Sequence, residues 1–512
     1  MPRRLPRRLI RTSAAAAGLA ALPLALTGGS LPAQAASLSA ATPAIVQAGA
    51  SVDLTRLRGN EAENAAAVSP VDPRNVVALS TYIPPATGAT AGGGTAGAAA
   101  VAGPPGAKVG IGAAARKIGA AAEHQRSAYG GLTISVSHDG GTTWHTRVIA
   151  AGGPLGLACC DESVAFDRFG NLFLTYLYAH SGDIPVALST DGGDSFHPLA
   201  RFAASADQPT IATGAGSVWL TWTAGNGVVT LAGARVTGRG QVGSWSQETV
   251  PRPYNNGDYG DITVSPTGAV AVAYQQNTSV TEGPNIIFTA IDPDGLGPKH
   301  VQAEVPLVIT NVGSFDVIPA QPTRTIDAEV GLAYDQSAGP HRGRLYAMWT
   351  DERVNESNNT DIWLRWSDNN GASWSAATRL NDDATSRSQF LPKLAVDQTS
   401  GAVGACWYDA RLDAGTGGVG DTDGVANTDA MLYCTASTDG GRSFGPNVRV
   451  SAGASNTSPT LNDSFDYGDY EGLAFGGGVM HPAWSDNSNR AGGNPNGRLR
   501  QLDLYTANVA VR

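Results

Sequence analysis

The side chains able to do acid–base chemistry in this sequence recur at one place in a repeating unit. Asp161 and Glu162, Asp207, Asp258 and Asp261, Asp327 and Glu329, and Asp466, Asp469 and Glu471 each stand just ahead of a short apolar run. Carboxyls gathered this way can divide into proton donors and acceptors, because burial and like-charge neighbours raise the pKa of one and leave another ionised. The competing role for each is structural, since a carboxylate at a strand start accepts backbone N–H bonds.

Three further constellations carry chemistry. Trp349-Thr350-Asp351-Glu352-Arg353 and Trp407-Tyr408-Asp409-Ala410-Arg411 repeat a W-x-D-x-R pattern, echoed at Trp484-Ser485-Asp486. The guanidinium fork of Arg353 or Arg411 matches a carboxylate in two-point contact, either on a ligand or on the neighbouring Asp as a loop-ordering ion pair. Tyrosine stands beside acid in Asp258-Tyr259 and in Asp469-Tyr470-Glu471. Adjacent residues on a strand point to opposite faces, so Tyr470 and Glu471 could act together only in a loop or bulge. Asp421, Asp423 and Asp429 cluster oxygen ligands in part of a calcium-loop pattern, without the full EF-hand spacing.

These residues are positioned by two superposed repeats. The first is an apolar strand, a tight turn and a second apolar strand ending in an aromatic: 163–176, 209–222, 261–274, 330–349, 394–407 and 473–484, with a weaker first copy at 66–80. Apolar runs broken by Asp, Gly, Pro or Asn turns read as hairpins, and seven such units imply an internally repetitive all-β chain. The second repeat is a turn of the form S-x-D-x-G-x-x-W/F. It occurs at Ser137–Trp144, Ser189–Phe196, Ser367–Trp374 and Ser437–Phe444, with Asp139, Asp191, Asn369 and Asp439 at the acidic position. The Asp or Asn side chain can accept the turn's N–H bonds, Gly supplies positive φ, and the aromatic can fold back between sheets.

Four copies of this turn, each after an apolar strand, resemble the Asp box (bacterial neuraminidase repeat) of the sialidase superfamily, over essentially the whole mature chain. The resemblance implies a β-propeller of four-stranded antiparallel blades, with the box joining third and fourth strands on the outer rim. Family sialidases have six blades; the repeat count here favours seven, with spans near 62–150, 161–200, 206–250, 257–310, 325–381, 388–450 and 466–512. The resemblance also implies an exo-sialidase chemistry with a tyrosine nucleophile, an acidic partner and a separate aspartate. Tyr470, Glu471 and Asp261 match those roles best. An arginine triad for the sugar carboxylate would draw on Arg353, Arg411, and Arg324 or Arg387. Two family features have no counterpart: an Arg-Ile-Pro motif near the first blade, since Arg74 sits in a turn sequence, and a late Tyr-Ser-x-Leu segment. Two functions therefore share this face. One is a secreted sialidase-like glycoside hydrolase acting on terminal acidic sugars. The other is a non-catalytic propeller that binds glycan or protein.

Composition sets the surroundings. Residues 1–35 combine a basic start, a short apolar run and Ala33-Gln34-Ala35, an export signal. Its removal takes the net charge from −10 to about −15 and leaves an acidic, Lys-poor chain unsuited to nucleic acid. No later segment is apolar enough to span a bilayer, so a secreted monomer with extracellular glycan or glycoprotein partners is expected. Residues 36–61 read as an N-terminal segment and 62–512 as one propeller domain. An Ala/Gly-rich insertion near 84–122 cannot bury a core of its own. Cys406 and Cys434 fall in adjacent candidate strands and suit a cross-strand disulfide, while Cys159-Cys160 would form either a vicinal bridge or two free thiols. No metal site is assigned and no cofactor is required, with Ca²⁺ admissible at the 421–429 loop.

Overall fold

A computed structural model describes residues 43–85, 129–203, 205–251, 256–276, 282–355, 357–418, 420–457, 466–488 and 501–512. The export signal and nearly all of the Ala/Gly-rich insertion lie outside these residues. No helix among the described residues is long and apolar enough to cross a membrane.

Each apolar run forms a strand, and each turn cluster returns the chain beside it, so successive strands pair antiparallel. Six four-stranded sheets follow in order, spanning 60–149, 163–202, 206–249, 257–310, 331–379 and 389–449. The seventh has its inner strand at Gly472–Gly476, then Val479–Asp486, then a third strand in two pieces, Asp503–Thr506 and Val509–Val511. Its outermost strand comes from the other end of the chain: Val46–Ala48 pairs with Val509–Val511, and Val52–Asp53 with Tyr505 and Thr506. The ring is a seven-bladed propeller, as the repeat count predicts, closed by a strand from the segment read as preceding the domain. Radial repetition of the blades leaves only short, protected sheet edges.

Packing between blades supplies the core. The aromatics ending the second strands (Tyr176, Trp222, Tyr274, Trp349, Trp407 and Trp484) are at most 3% exposed. They sit in apolar clusters shared by successive blades. Tyr176 packs with Leu79 and Ile134 of blade one, and Trp349 with Ala271 and Ile287 of blade four. Ala78, Ala483 and Leu504 join blade one to blade seven. Truncating one such wedge to Ala costs about 3–5 kcal/mol in a core of this kind.

The four S-x-D-x-G turns connect third to fourth strands in blades one, two, five and six. In each, the Ser hydroxyl accepts the N–H of the second Gly position: Gly141 at 2.8 Å, Gly193 at 2.9 Å, Gly371 at 2.9 Å and Gly441 at 2.8 Å. The acidic position accepts the N–H four residues on, as Asp439 does from Ser443 at 2.9 Å. These glycines have φ between 78° and 105°, a region costly for other residues. The aromatics pack back toward the preceding blade: Phe196 against Val77 and Ile134, Trp374 against Ile287, and Phe444 against Met348 and Leu364. Trp144 packs with Leu504 and Ala483 of blade seven.

Cys406 and Cys434 lie opposite each other on neighbouring strands and are disulfide-bonded. Cys159 and Cys160 are bonded to one another. A two-stranded hairpin, Asp316–Ile318 with Gln321–Ile326, stands between blades four and five, where the sequence shows no distinct pattern.

Candidate functional site at the propeller axis

The acids ahead of the apolar runs reach the axis through a recurring backbone irregularity. Register shifts interrupt the inner strands between Ala62 and Asn64, Asp207 and Thr210, Asp258 and Asp261, and Phe390 and Lys393. Glu63, Asp161, Gln208, Glu329 and Leu391, at or just before inner strands, have φ between 42° and 59°. A bulge there breaks the in-out alternation and re-aims a side chain that would otherwise enter the sheet packing.

All seven blades line the resulting pocket, a cavity of about 70 Å³. Asn64, Glu162, Gln208, Asp261, Glu329, Lys393 and Tyr470 contribute one polar side chain from each. Lys393 is the one cation among its lining residues.

Two walls differ in charge. On one, Glu63, Asp161 and Glu162 are at most 3% exposed. Thr81 donates to Glu162 Oε2 at 2.8 Å, and the Asp161 N–H to Glu63 Oε2 at 3.3 Å. Burial pushes Glu63 up to about 7 against the pull of Arg324, and pushes Asp161 and Glu162 well above the carboxylate range with Glu63 adding to both. The Tyr470 hydroxyl oxygen faces this wall. It is buried without a hydrogen-bond partner among the described residues, and burial, then the charges of Asp161 and Glu63, hold its proton on.

A second group at the axis comprises Asp261, Glu329, Glu471 and Lys393, of which Asp261, Glu329 and Lys393 line the pocket. Asp261 accepts N–H bonds from Leu332 at 2.7 Å and Ile262 at 2.8 Å. Burial raises its pKa, while Lys393 and these amides oppose the rise. Glu329 is pushed up to about 8, chiefly by burial, so it is a carboxylic acid at neutral pH. Glu471 is fully buried, neither carboxyl oxygen has a hydrogen-bond partner among the described residues, and its charged neighbours are Lys393 and Glu329. Tyr470 and Glu471 thus have different charged neighbours.

The arginines do not gather in this pocket. Arg324 donates from Nε to Asp469 Oδ1 at 2.6 Å, also pairs with Asp469 Oδ2, and lies 3.5 Å from Glu63. Arg411 grips Asp409 Oδ2 from Nε and Nη2 at 2.9 and 2.7 Å, bonds Asp382 at 2.6 Å, and lies over the Tyr433 ring at 4.4 Å. Its Asp409 also accepts from the Trp407 indole at 2.9 Å, and Asp486 accepts from Trp484 at 3.0 Å. The W-x-D-x-R pattern at Arg411 is a loop-ordering ion pair here. Arg353 is exposed, 6.0 Å from the Trp363 ring centroid, and Arg387 is partly buried on the loop before blade six.

Asp413, Asp421 and Asp429 converge in the blade-six loop, with carboxylate oxygens that accept local donors: Thr428 N–H at 2.7 Å on Asp413, Gly424 N–H at 2.7 Å on Asp421, and the Asn456 amide at 2.6 Å on Asp429.

Sequence reasoning missed Glu63 and Lys393. Glu63 lies in the first inner strand, whose Asn-Glu-Ala-Glu-Asn-Ala start hides its apolar pattern. Lys393 reads as an ordinary strand residue until the Leu391 bulge turns it inward. A polar residue directly ahead of the apolar run, as at Glu162, Gln208 and Glu329, is the signal that would have found Lys393; no such pattern marks Glu63.

No known protein-family model matches the sequence, and no curated protein matches it. Distantly similar solved structures include the polysaccharide lyase Uly1, 11% identical over 75% of this chain and 85% of that one at a TM-score of 0.43. Another is a Trypanosoma rangeli sialidase in complex with the inhibitor DANA, 10% identical over 72% and 56% at 0.39. A third is a Penicillium chrysogenum alpha-L-arabinanase complexed with arabinobiose, 13% identical over 68% and 92% at 0.37.

Proposed function

We propose that this chain is a secreted glycan-active propeller, sialidase-like in its repeat of Asp-box turns, that hydrolyses the terminal sugar of an extracellular glycan in the axial pocket. One observation carries the reading: Glu329 and Asp261 line the same opening, with Glu329 pushed up to about 8 by burial and Asp261 held by two backbone amides that oppose its own rise. Hydrolysis of a glycosidic bond needs an acid for the leaving oxygen and a carboxylate for the anomeric centre or its attacking water. Glu329, neutral near pH 7, supplies the proton. Asp261, held by two amides and faced by Lys393, is the carboxylate. The narrower sialoside form of the reaction would set the sugar carboxylate against Lys393, in place of an arginine triad.

The test is a panel of fluorogenic glycosides, an α-sialoside beside neutral sugars, offered to the secreted protein and to Asp261→Asn and Glu329→Gln. Turnover of one substrate that falls about 100-fold or more in both variants supports the reading. Turnover indifferent to both overturns the residue assignment. Sugar binding without turnover overturns hydrolysis in favour of a binding propeller.

A further inference from the structure

Resting on the reading of the axial pocket as a glycan site, we infer that the sugar it takes is uncharged, and that Asn64, Glu162 and Tyr470 select it by pairing with its hydroxyl groups.

Three residues lining the pocket carry buried polar atoms with no hydrogen-bond partner among the described residues. Asn64 and Glu162 are each 1% exposed. The Asn64 amide donates from Nδ2 to Ser485 Oγ at 2.9 Å, which leaves its Oδ1 unanswered. Glu162 Oε2 accepts from Thr81 at 2.8 Å, which leaves its Oε1. The Tyr470 hydroxyl is the third such atom. Buried polar groups are nearly always paired, and a few unpaired ones in a concave pocket are the groups that a ligand satisfies.

Their chemistry decides what can pair with them. Asn64 Oδ1 only accepts, the Tyr470 hydroxyl donates and accepts, and a carboxyl does either according to its proton. A sugar hydroxyl also donates and accepts, so hydroxyls can answer all three. A sugar carboxylate only accepts, so it has nothing to offer Asn64 Oδ1, and it calls for a guanidinium fork. No arginine lines this pocket. Arg324 is paired with Asp469, and Arg411 with Asp409 and Asp382. Lys393, the one cation among the lining residues, has its Nζ 5.8 Å from the Tyr470 ring centroid. Asp261, Glu329 and Glu471 are its charged neighbours. An anionic sugar would lose its water here and meet an ammonium already surrounded by acids.

Matched pairs of 4-methylumbelliferyl glycosides isolate the charge. A glucoside and a glucuronide, or a galactoside and a galacturonide, differ only in a hydroxymethyl group or a carboxylate on the same ring carbon. An α-sialoside completes the set offered to the secreted protein. A neutral sugar should be cleaved with kcat/KM about 100-fold or more above its acidic twin and above the sialoside. A uronide or sialoside cleaved as well as the neutral sugars would overturn the inference and leave hydrolysis standing. If none is cleaved, hydrolysis falls and calorimetry with the methyl glycosides takes over. Neutral sugars bound about tenfold or more tighter than their uronates would then uphold the inference, while equal affinity, or no neutral binding, would overturn it.

The residues are tested against monodeoxy forms of the preferred neutral sugar. Asn64→Ala should weaken binding of that sugar about tenfold. Removing the one hydroxyl that Asn64 meets should cost the parent as much and the variant nothing further. Tyr470→Phe, which deletes an unpaired buried hydroxyl and should fold as the parent does, takes the same test. Deoxy losses as large in both variants as in the parent would overturn the assignment of these selecting residues.

Discussion

Arg324 and Asp469 form an ion pair between parts of the ring that are not neighbours. Arg324 lies on the hairpin between blades four and five, and Asp469 on the chain leading into the inner strand of blade seven. The same hairpin gives Asp466 two backbone N–H bonds, from Thr323 at 2.7 Å and Arg324 at 2.9 Å. Gln321 donates to the Gly468 carbonyl at 2.8 Å. The hairpin therefore fixes the segment that delivers Tyr470 and Glu471 to the pocket.

Removing the arginine alone should be costly, because it leaves the buried Asp469 side chain without this ion-pair partner. Arg324→Ala is expected to lower stability by about 2 kcal/mol, below the range for fully buried pairs because the arginine side chain is 34% exposed. Adding Asp469→Asn should restore part of the loss. Urea unfolding of the two single variants and the double variant measures this coupling; strictly additive losses would mean the pair does not act as a unit.

Buried carboxyls give the fold a pH dependence of definite sign. Glu63 and Glu329 titrate near 7 and 8 when folded and near 4.5 in the unfolded chain. The folded state therefore holds more protons, and stability falls as pH rises toward 8. His481, buried and lowered to about 4, acts in the opposite direction below its ordinary 6.5. Between pH 6.5 and 8.5 the carboxyls dominate, so unfolding in EDTA should move to lower urea concentration across that window. Glu329→Gln should flatten the slope and be more stable than the parent at pH 8.5 by about 1–2 kcal/mol. An unchanged slope in this variant would remove Glu329 as the titrating group.

Ring closure depends on a short segment from the start of the domain. Deleting residues 43–53 exposes the edge of Val509–Val511 and removes Ala44, Val46 and Ala48 from the apolar cluster that holds Trp484, Tyr505 and Val509. The truncated protein should unfold at least about 10 °C lower or aggregate through the open edge. A normal melting profile would show that the seventh blade holds without its outer strand.

The Cys406–Cys434 bond closes a separation of 28 residues within blade six. Replacing both cysteines with Ala should lower stability by about 3 kcal/mol, read by denaturant unfolding of the parent and the double variant.

The hairpin architecture was legible because a strand–turn–strand unit leaves a local pattern, and Trp222, Trp349 and Trp407 mark its end each time. The rim turns were legible because their hydrogen bonds lie within five or six residues. Closure was not, since Val-Gln-Ala and Val-Asp at 46–48 and 52–53 are too short to show alternation and find partners more than 450 residues away. The acids at the axis were legible as a recurring position, but which of them meet was not. Bulges at Glu63 and Leu391 depend on tertiary crowding at the axis, and Arg324 arrives from a hairpin outside the repeat. Arg411 illustrates the limit: its spacing suits a ligand clamp as well as an ion pair, and only the positions of Asp409 and Asp382 distinguish them.

The most direct test of the account is the pH dependence of kcat/KM for whichever glycoside the secreted protein cleaves, in parent and Glu329→Gln. A basic limb near pH 8 in the parent, lost together with about 100-fold or more of the rate in the variant, is the expected result. A variant that keeps the parent's rate and its basic limb would contradict the placement of the proton donor, and with it the axial pocket as the seat of the chemistry.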